Sequence, residues 1–313
     1  MGRAKPAPIT PQLPSLWRRY FKHDKLSKRY LAGAVAMKFE KNKTDNQNIH
    51  YQTRGEGNKT IILAHGLPSS IQEWDLMSQK LVSNGYQAIA LDLPGHGDSF
   101  KPNEIDFYSA DTFYIHFKEW INHLNIGTPP VLLGHSFGGY LSLRYALDHQ
   151  RDVRGLILID PFLSYDQLVG INRFLLSYPL ISVHFLKNAP IRLIKFFLWA
   201  GSLVRRKFRI HSYLSKSELY KMAVDFKRCS PNIAYLPKTI TDITTNLADL
   251  NIPTLLIWGN QDKTLSVSWY LNIVSKLPNS TYKVLNAGHN PHLSNFFEVY
   301  PIVLEFLESI FSQ

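Results

Sequence analysis

Short apolar runs alternate with helical patterns along the first half of the chain. Each run is followed, after a loop, by a segment whose apolar residues recur every three or four positions. This alternation predicts a parallel sheet with connecting helices. The predicted parallel strands are Thr60–Ala64, Gln87–Leu91, Val131–Leu133 and Gly155–Ile159, and the helices are Ser70–Ser83, Ala110–Asn122 and Tyr140–His149. An antiparallel pair, Met37–Glu40 and Ile49–Thr53, is predicted to precede them.

The strand pattern stops after Asp160 and resumes only at Thr254. Between these points residues 163–237 have a helical pattern that several prolines interrupt. We therefore expect a helical cap, inserted between the sixth and seventh strands and covering the site that the strands build. The expected organisation is a basic N-terminal extension (1–36), a core of two segments (37–162 and 238–313) and the cap (163–237).

A candidate nucleophile lies where the strand ending at Leu133 gives way to a helix. Residues 134–138 read Gly-His-Ser-Phe-Gly, the G-x-S-x-G pattern of a nucleophile elbow. A strand that turns into a helix within so few residues forces a strained backbone on the serine, and the flanking glycines give room for it. The helix N-terminus then directs free N–H groups towards the reacting centre. We predict that Ser136 is the nucleophile.

A serine nucleophile needs a base and a group that orients the base. His289 follows the predicted strand Thr281–Leu285, and Asp262 follows the predicted strand Thr254–Trp258. The carboxyl ends of parallel strands meet at one edge of a sheet, so these side chains can converge with Ser136. Asp160 is an alternative acid, since it also follows a strand. The nearby His292 is expected to help start the next helix instead.

An oxyanion hole requires two backbone N–H donors. One is expected from Phe137, the residue after the nucleophile. The other is expected from the loop His65-Gly66-Leu67-Pro68, which follows an early strand. Leu67 is the predicted donor because Pro68 has no N–H.

These motifs together resemble the α/β-hydrolase fold superfamily. The resemblance covers roughly residues 37–312 and rests on the His65–Pro68 loop, the Asp92–Ser99 turn, the elbow, Gly259–Asp262 and Gly288-His289. It implies an α/β-hydrolase fold, with a mostly parallel central sheet, helices on both faces and an inserted helical cap. A serine nucleophile, rather than an aspartate, argues against haloalkane dehalogenases and aspartate-type epoxide hydrolases. The chain also lacks the Gly-rich loop typical of ring-cleavage C–C hydrolases.

The formal net charge of +11 is concentrated in two segments. Residues 1–31 hold eight Lys and Arg and one acid, and residues 163–237 hold twelve and three. Both segments mix these charges with large apolar side chains, a composition that suits helices lying in a membrane interface. An anionic membrane surface is therefore one expected partner, and the alternative is that the apolar faces pack on the core. No nucleic-acid recognition motif occurs, so no nucleic-acid partner is expected.

The single cysteine, Cys229, excludes an internal disulfide and is compatible with a reducing compartment. We expect a cytoplasmic protein, with peripheral membrane contact as the alternative. The predicted function is a serine esterase or lipase, without metal or other cofactor, for a small-molecule or lipid ester with a hydrophobic acyl or alcohol group. The same triad supports thioester, lactone, amide or C–C hydrolysis and perhydrolysis. A receptor or scaffold with a vestigial site is the non-enzymatic alternative.

Overall fold

Seven strands of the described residues form one sheet. The computed structural model describes residues 49–207 and 216–312. The strands are β1 (Tyr51–Arg54), β2 (Thr60–Ala64), β3 (Gln87–Leu91), β4 (Val131–His135), β5 (Gly155–Ile159), β6 (Thr254–Gly259) and β7 (Ser280–Leu285). Their order is β1-β3-β2-β4-β5-β6-β7, and every neighbouring pair is parallel except β1 with β3. The mostly parallel sheet predicted from the sequence is confirmed.

Helices cover both faces of this sheet. The core helices are α1 (Asp75–Ser83), α2 (Ala110–His123), α3 (Phe137–Asp148), α8 (Ser268–Val274), α9 (Pro291–Ser294) and α10 (Phe296–Phe311). Successive strand residues point to opposite faces. On β4, Leu132 therefore joins the apolar cluster that includes α2 and α3, whereas Val131 and Leu133 join the cluster that includes α1 and α10.

In the described part of the chain between β5 and β6 there are four α-helices, which together are called the helical insertion. They are α4 (Gly170–Ser177), α5 (Pro179–Asn188), α6 (Ile191–Lys207) and α7 (Lys216–Arg228). Pro179 occupies the first turn of α5, where a missing N–H costs nothing. Among the described helices, none is long and apolar enough to cross a membrane.

Loops at the carboxyl edge of the sheet hold both ends of the insertion. Before α4, Leu168 forms an isolated antiparallel bridge with Leu265, in the loop that follows β6. At the end of α7, Arg228 pairs with Asp98 in the loop after β3, and Ser70 Oγ donates to Asp225 Oδ1 at 2.8 Å. The insertion is therefore attached to three of the loops that follow parallel strands.

Some sequence-based expectations lie outside the described residues. These are the strand Met37–Glu40 and the whole basic extension 1–36.

Candidate active site

The backbone at Ser136 has the strained geometry that an elbow needs. Its φ of 50° and ψ of −117° lie in a region that L-residues rarely adopt. Two hydrogen bonds of 3.0 Å hold it there, from the Ser136 N–H to the Ile159 carbonyl and from the Phe162 N–H to the Ser136 carbonyl. A side chain at Gly138 would collide with the carbonyl of Ala64, so only glycine allows α3 to approach β2 this closely. Packing against neighbouring strands thus fixes the serine in place.

The three residues predicted to act together form one hydrogen-bonded chain. Ser136 Oγ lies 3.1 Å from His289 Nε2, and His289 Nδ1 lies 2.7 Å from Asp262 Oδ2. Asp262 Oδ1 also accepts the N–H groups of Thr264 and Leu265, at 2.7 and 3.1 Å. These bonds fix the carboxylate, so its second oxygen is held towards the imidazole. Ser136 and Asp262 are buried, and the side chain of His289 is only 12 % exposed.

Asp160, the alternative acid, is placed beside this chain without joining it. Its Oδ1 accepts the Gly259 N–H at 2.9 Å, and within the described residues its Oδ2 has no hydrogen-bond partner. Burial, and next the charge of Asp262, raise the pKa of Asp160 well above its ordinary value. The protonated form of Asp160 therefore persists to higher pH than in an exposed aspartic acid, and the structure brings Asp262, not Asp160, to the imidazole.

The two predicted oxyanion donors flank the nucleophile. Phe137 is the first residue of α3, where the backbone N–H has no partner within the helix. A side chain at Gly66 would come within 3.0 Å of Ser136 Cβ, so the loop that carries Leu67 lies against the serine. His65 fixes this loop, because its Nε2 accepts the Leu93 N–H at 3.0 Å and its Nδ1 lies 2.9 Å from the Gly66 carbonyl.

A buried carboxylate behind the nucleophile was not anticipated from the sequence. Glu73 Oε1 lies 2.8 Å from His135 Nδ1 and 3.0 Å from His292 Nε2, and all three side chains are at most 4 % exposed. The Nδ1–Oε1 distance is that of an ion pair, but within the described residues Nδ1 forms no hydrogen bond of good geometry. Burial alone would raise the pKa of Glu73, but His135 and His292 hold it well below its ordinary value. Burial lowers the pKa of His292 to about 4, which favours its neutral form.

This cluster connects the three loops that build the site. His135 Nε2 donates to the backbone carbonyl of His289 at 2.9 Å, and Glu73 Oε2 accepts the Gly66 N–H at 3.4 Å. Glu73 therefore contacts the loop of the predicted oxyanion donor, the elbow and, through His135, the loop of the base. Nothing in the local sequence marks Glu73, since its partners are as far as 219 positions away.

The comparison with protein families agrees with this geometry. The model of the alpha/beta hydrolase fold family matches residues 59–296. The chain belongs to the alpha/beta hydrolase fold family. The resemblance found in the sequence is thereby confirmed.

The proteins and structures that resemble this chain are named for different activities. The chain is 26 % identical over 274 residues to 2-hydroxy-6-oxononadienedioate/2-hydroxy-6-oxononatrienedioate hydrolase 2 of Pseudomonas putida, over 83 % of this chain and 91 % of that protein. An esterase structure from Exiguobacterium antarcticum aligns with a TM-score of 0.69 at 19 % identity, over 86 % of this chain and 98 % of the other. A bacterial membrane phospholipase A structure aligns with a TM-score of 0.72 at 22 % identity, over 96 % of each chain. The two structures show the same fold, and the family match shows an alpha/beta hydrolase, so the bond it cleaves has to be argued from the site.

Proposed function

We propose that the protein is a serine hydrolase that cleaves a carboxylic ester with a hydrophobic acyl or alcohol group. The observation that carries this proposal is the hydrogen-bonded chain from Ser136 Oγ through His289 to Asp262. Serine, imidazole and carboxylate in this order form the arrangement that activates a hydroxyl for acyl transfer.

In the first half of the proposed reaction, Ser136 Oγ attacks the ester carbonyl carbon. His289 Nε2 takes the hydroxyl proton, and Asp262 stabilises the imidazolium through Nδ1–H. The negative charge that develops on the carbonyl oxygen is received by the N–H groups of Leu67 and Phe137. The tetrahedral intermediate then collapses, His289 protonates the leaving alkoxide, and the acyl group stays on Ser136.

In the second half, water takes the place of the alcohol. His289 Nε2 removes a proton from the water as its oxygen attacks the acyl carbon, and the same two N–H groups stabilise the second oxyanion. Collapse releases the carboxylic acid, while the proton returns from His289 to Ser136 Oγ. In both halves His289 takes the proton of the nucleophile, first Ser136 and then water, and gives it to the oxygen that leaves.

The surroundings of the chain support an apolar substrate. Phe137, Phe162 and Leu163 are buried beside the elbow, and half-buried Leu176 and Leu186 of the insertion pack on the same cluster. Among the residues whose side chains the structure describes, which exclude 201–216, the only buried Lys or Arg is Arg54 on β1, and it is already paired with Asp75. An anionic substrate would lose its hydration here without gaining a buried cation. This disfavours a dicarboxylate such as the one in the name of the Pseudomonas putida relative.

Hydrolysis of p-nitrophenyl esters of increasing acyl length tests the proposal. We expect turnover that rises with chain length in the wild type and disappears in a folded Ser136→Ala variant. A fluorophosphonate probe should label the wild type and leave this variant unlabelled. Labelling without ester turnover would contradict ester cleavage and favour another acyl substrate, such as a thioester or amide. Failure of both would favour the non-enzymatic alternative.

A further inference from the structure

Exposed apolar side chains are concentrated on one part of the helical insertion. Of the 18 large apolar side chains that are exposed among the described residues, ten lie between Ile171 and Trp199. They are Ile171, Phe174, Tyr178, Leu180, Ile181, Phe185, Leu193, Phe196, Phe197 and Trp199. These side chains of α4, α5 and α6, with the intervening Tyr178, are called the apolar face. Scattered single apolar residues are normal on a protein surface, but ten within one short segment are not.

Ring contacts connect the aromatic members of this face across helices. Phe185 of α5 lies 6.1 Å from Phe197 of α6 between ring centroids, and Phe196 lies within 6.0 Å of both Phe197 and Trp199. The buried side of α6 is different, since Ile194 packs with Ala223 of α7 in a small separate core. The helix therefore already has its protein partner on one side and presents apolar rings on another.

The segment that carries the apolar face is basic throughout. Residues 167–217 contain nine Lys and Arg and no Asp or Glu. Lys187 on α5 and Arg192 and Lys195 on α6 are exposed on the same helices, and Lys195 Nζ lies 5.0 Å from the ring centroid of Tyr220 on α7. Apolar rings with basic side chains around them are the combination that binds the interface of an anionic bilayer.

The positive charge of the segment favours one of the surfaces that could cover the apolar face. A second copy of the chain, docked face to face, would bring two basic segments together. Like charges oppose this contact, whereas an anionic lipid surface complements the basic segment. We propose that the apolar face of α4–α6 docks on an anionic lipid bilayer. This proposal is independent of the chemistry at Ser136.

Vesicle sedimentation of the full chain tests this proposal. Vesicles of phosphatidylcholine alone are compared with vesicles that contain phosphatidylglycerol as well. Three double variants probe the face: Phe196→Ser/Phe197→Ser, Leu180→Ser/Ile181→Ser and Lys187→Glu/Arg192→Glu. Two matched controls change exposed residues elsewhere: Leu271→Ser/Phe297→Ser, which are 72 % and 78 % exposed in the wild type, and Lys59→Glu/Lys283→Glu.

The wild type and both controls should bind the anionic vesicles and leave the neutral ones unbound. Each double variant of the apolar face should bind the anionic vesicles with a partition coefficient at least about tenfold lower than that of the wild type. Unchanged binding of all three folded variants would overturn the proposal. So would a concentration-dependent dimer that the Phe196→Ser/Phe197→Ser variant loses, since it would identify a second copy as the occupant. Ser136→Ala should bind vesicles like the wild type, which separates this result from the proposed hydrolysis.

Discussion

Glu73 Oε1 lies 2.8 Å from His135 Nδ1, directly behind the residue that is the proposed nucleophile. Both side chains are almost completely buried, and His135 donates in turn to the carbonyl of His289. The carboxylate thus acts on the site through the backbone of two loops rather than through contact with the three proposed catalytic side chains. We regard it as a positioning residue.

Replacing Glu73 with glutamine should lower kcat more than it changes KM. Glutamine keeps the shape of the side chain but removes the negative charge beside His135. His135 is then held less firmly, and so is the loop of His289 to which it donates a hydrogen bond. A displacement of the base by a fraction of an ångström should cost about ten- to a hundredfold in kcat. Steady-state kinetics on the best ester, well below the unfolding temperature, measures the effect. Equal kcat in wild type and Glu73→Gln would show that the cluster serves stability alone.

Replacement by asparagine should greatly lower the activity at Asp262 and leave it almost unchanged at the neighbouring Asp160. Asp262→Asn removes the charge that stabilises the imidazolium, and a loss of about 10⁴-fold in kcat is expected. Burial raises the pKa of Asp160, and Asp160→Asn keeps the shape of the side chain and an oxygen that accepts the Gly259 N–H. Its activity should stay close to that of the wild type. The kcat values of the two variants test this, and a large loss in Asp160→Asn would show that Asp160 takes part in the reaction.

A methyl group at Gly138 should damage folding. It would collide with the Ala64 carbonyl, and the strand and helix there have no room to separate. We expect Gly138→Ala to lose about 3 kcal/mol of unfolding free energy. Gly127→Ala is the matched control, since its side chain would meet open space and its φ is not positive. Urea unfolding of both variants measures the difference, and similar stabilities would contradict the close approach of α3 and β2.

Asp225 should make stability depend on pH. Burial raises its pKa to about 6, while hydrogen bonding to Ser70 opposes the shift. The folded state therefore keeps this proton to a higher pH than the unfolded state, so the contribution of this group falls as pH rises from about 4 to about 6. The loss amounts to about 3 kcal/mol.

Asparagine at position 225 would remove this penalty and can still accept from Ser70. Asp225→Asn should therefore melt at a higher temperature than the wild type at pH 8, and the difference should vanish near pH 4. Thermal unfolding across this pH range provides the measurement. A difference in melting temperature that stays constant with pH would exclude titration of Asp225 as its cause.

The sequence was sufficient to place Ser136, Asp262 and His289 at one edge of the sheet. Each follows a short apolar run, and the geometry of parallel strands brings such positions together without further information. The sequence favoured Asp262 and kept Asp160 as the alternative, because both follow strands. The structure adds the hydrogen bonds of the Asp262 loop, which turn its carboxylate towards His289.

The role of Glu73 could not be predicted, and the sequence left open whether the apolar side chains of the insertion face outwards or pack on the core. The two histidine partners of Glu73 lie 62 and 219 positions away, so no local pattern contains the relationship. Apolar helices such as α6 have the same pattern whether their aromatic residues line a pocket or face outwards. Only the packing of Ile194 against Ala223 shows which side of α6 is buried.

The bridge between Leu168 and Leu265 connects the start of the insertion to the loop that holds the proposed catalytic acid, Asp262. Leu265 also donates its N–H to Asp262, so one short stretch of backbone holds the start of the insertion and the acid at once. Lifting the start of the insertion would pull on the backbone that holds the Asp262 carboxylate beside His289. We therefore expect the position of the insertion and the alignment of the proposed catalytic acid to change together.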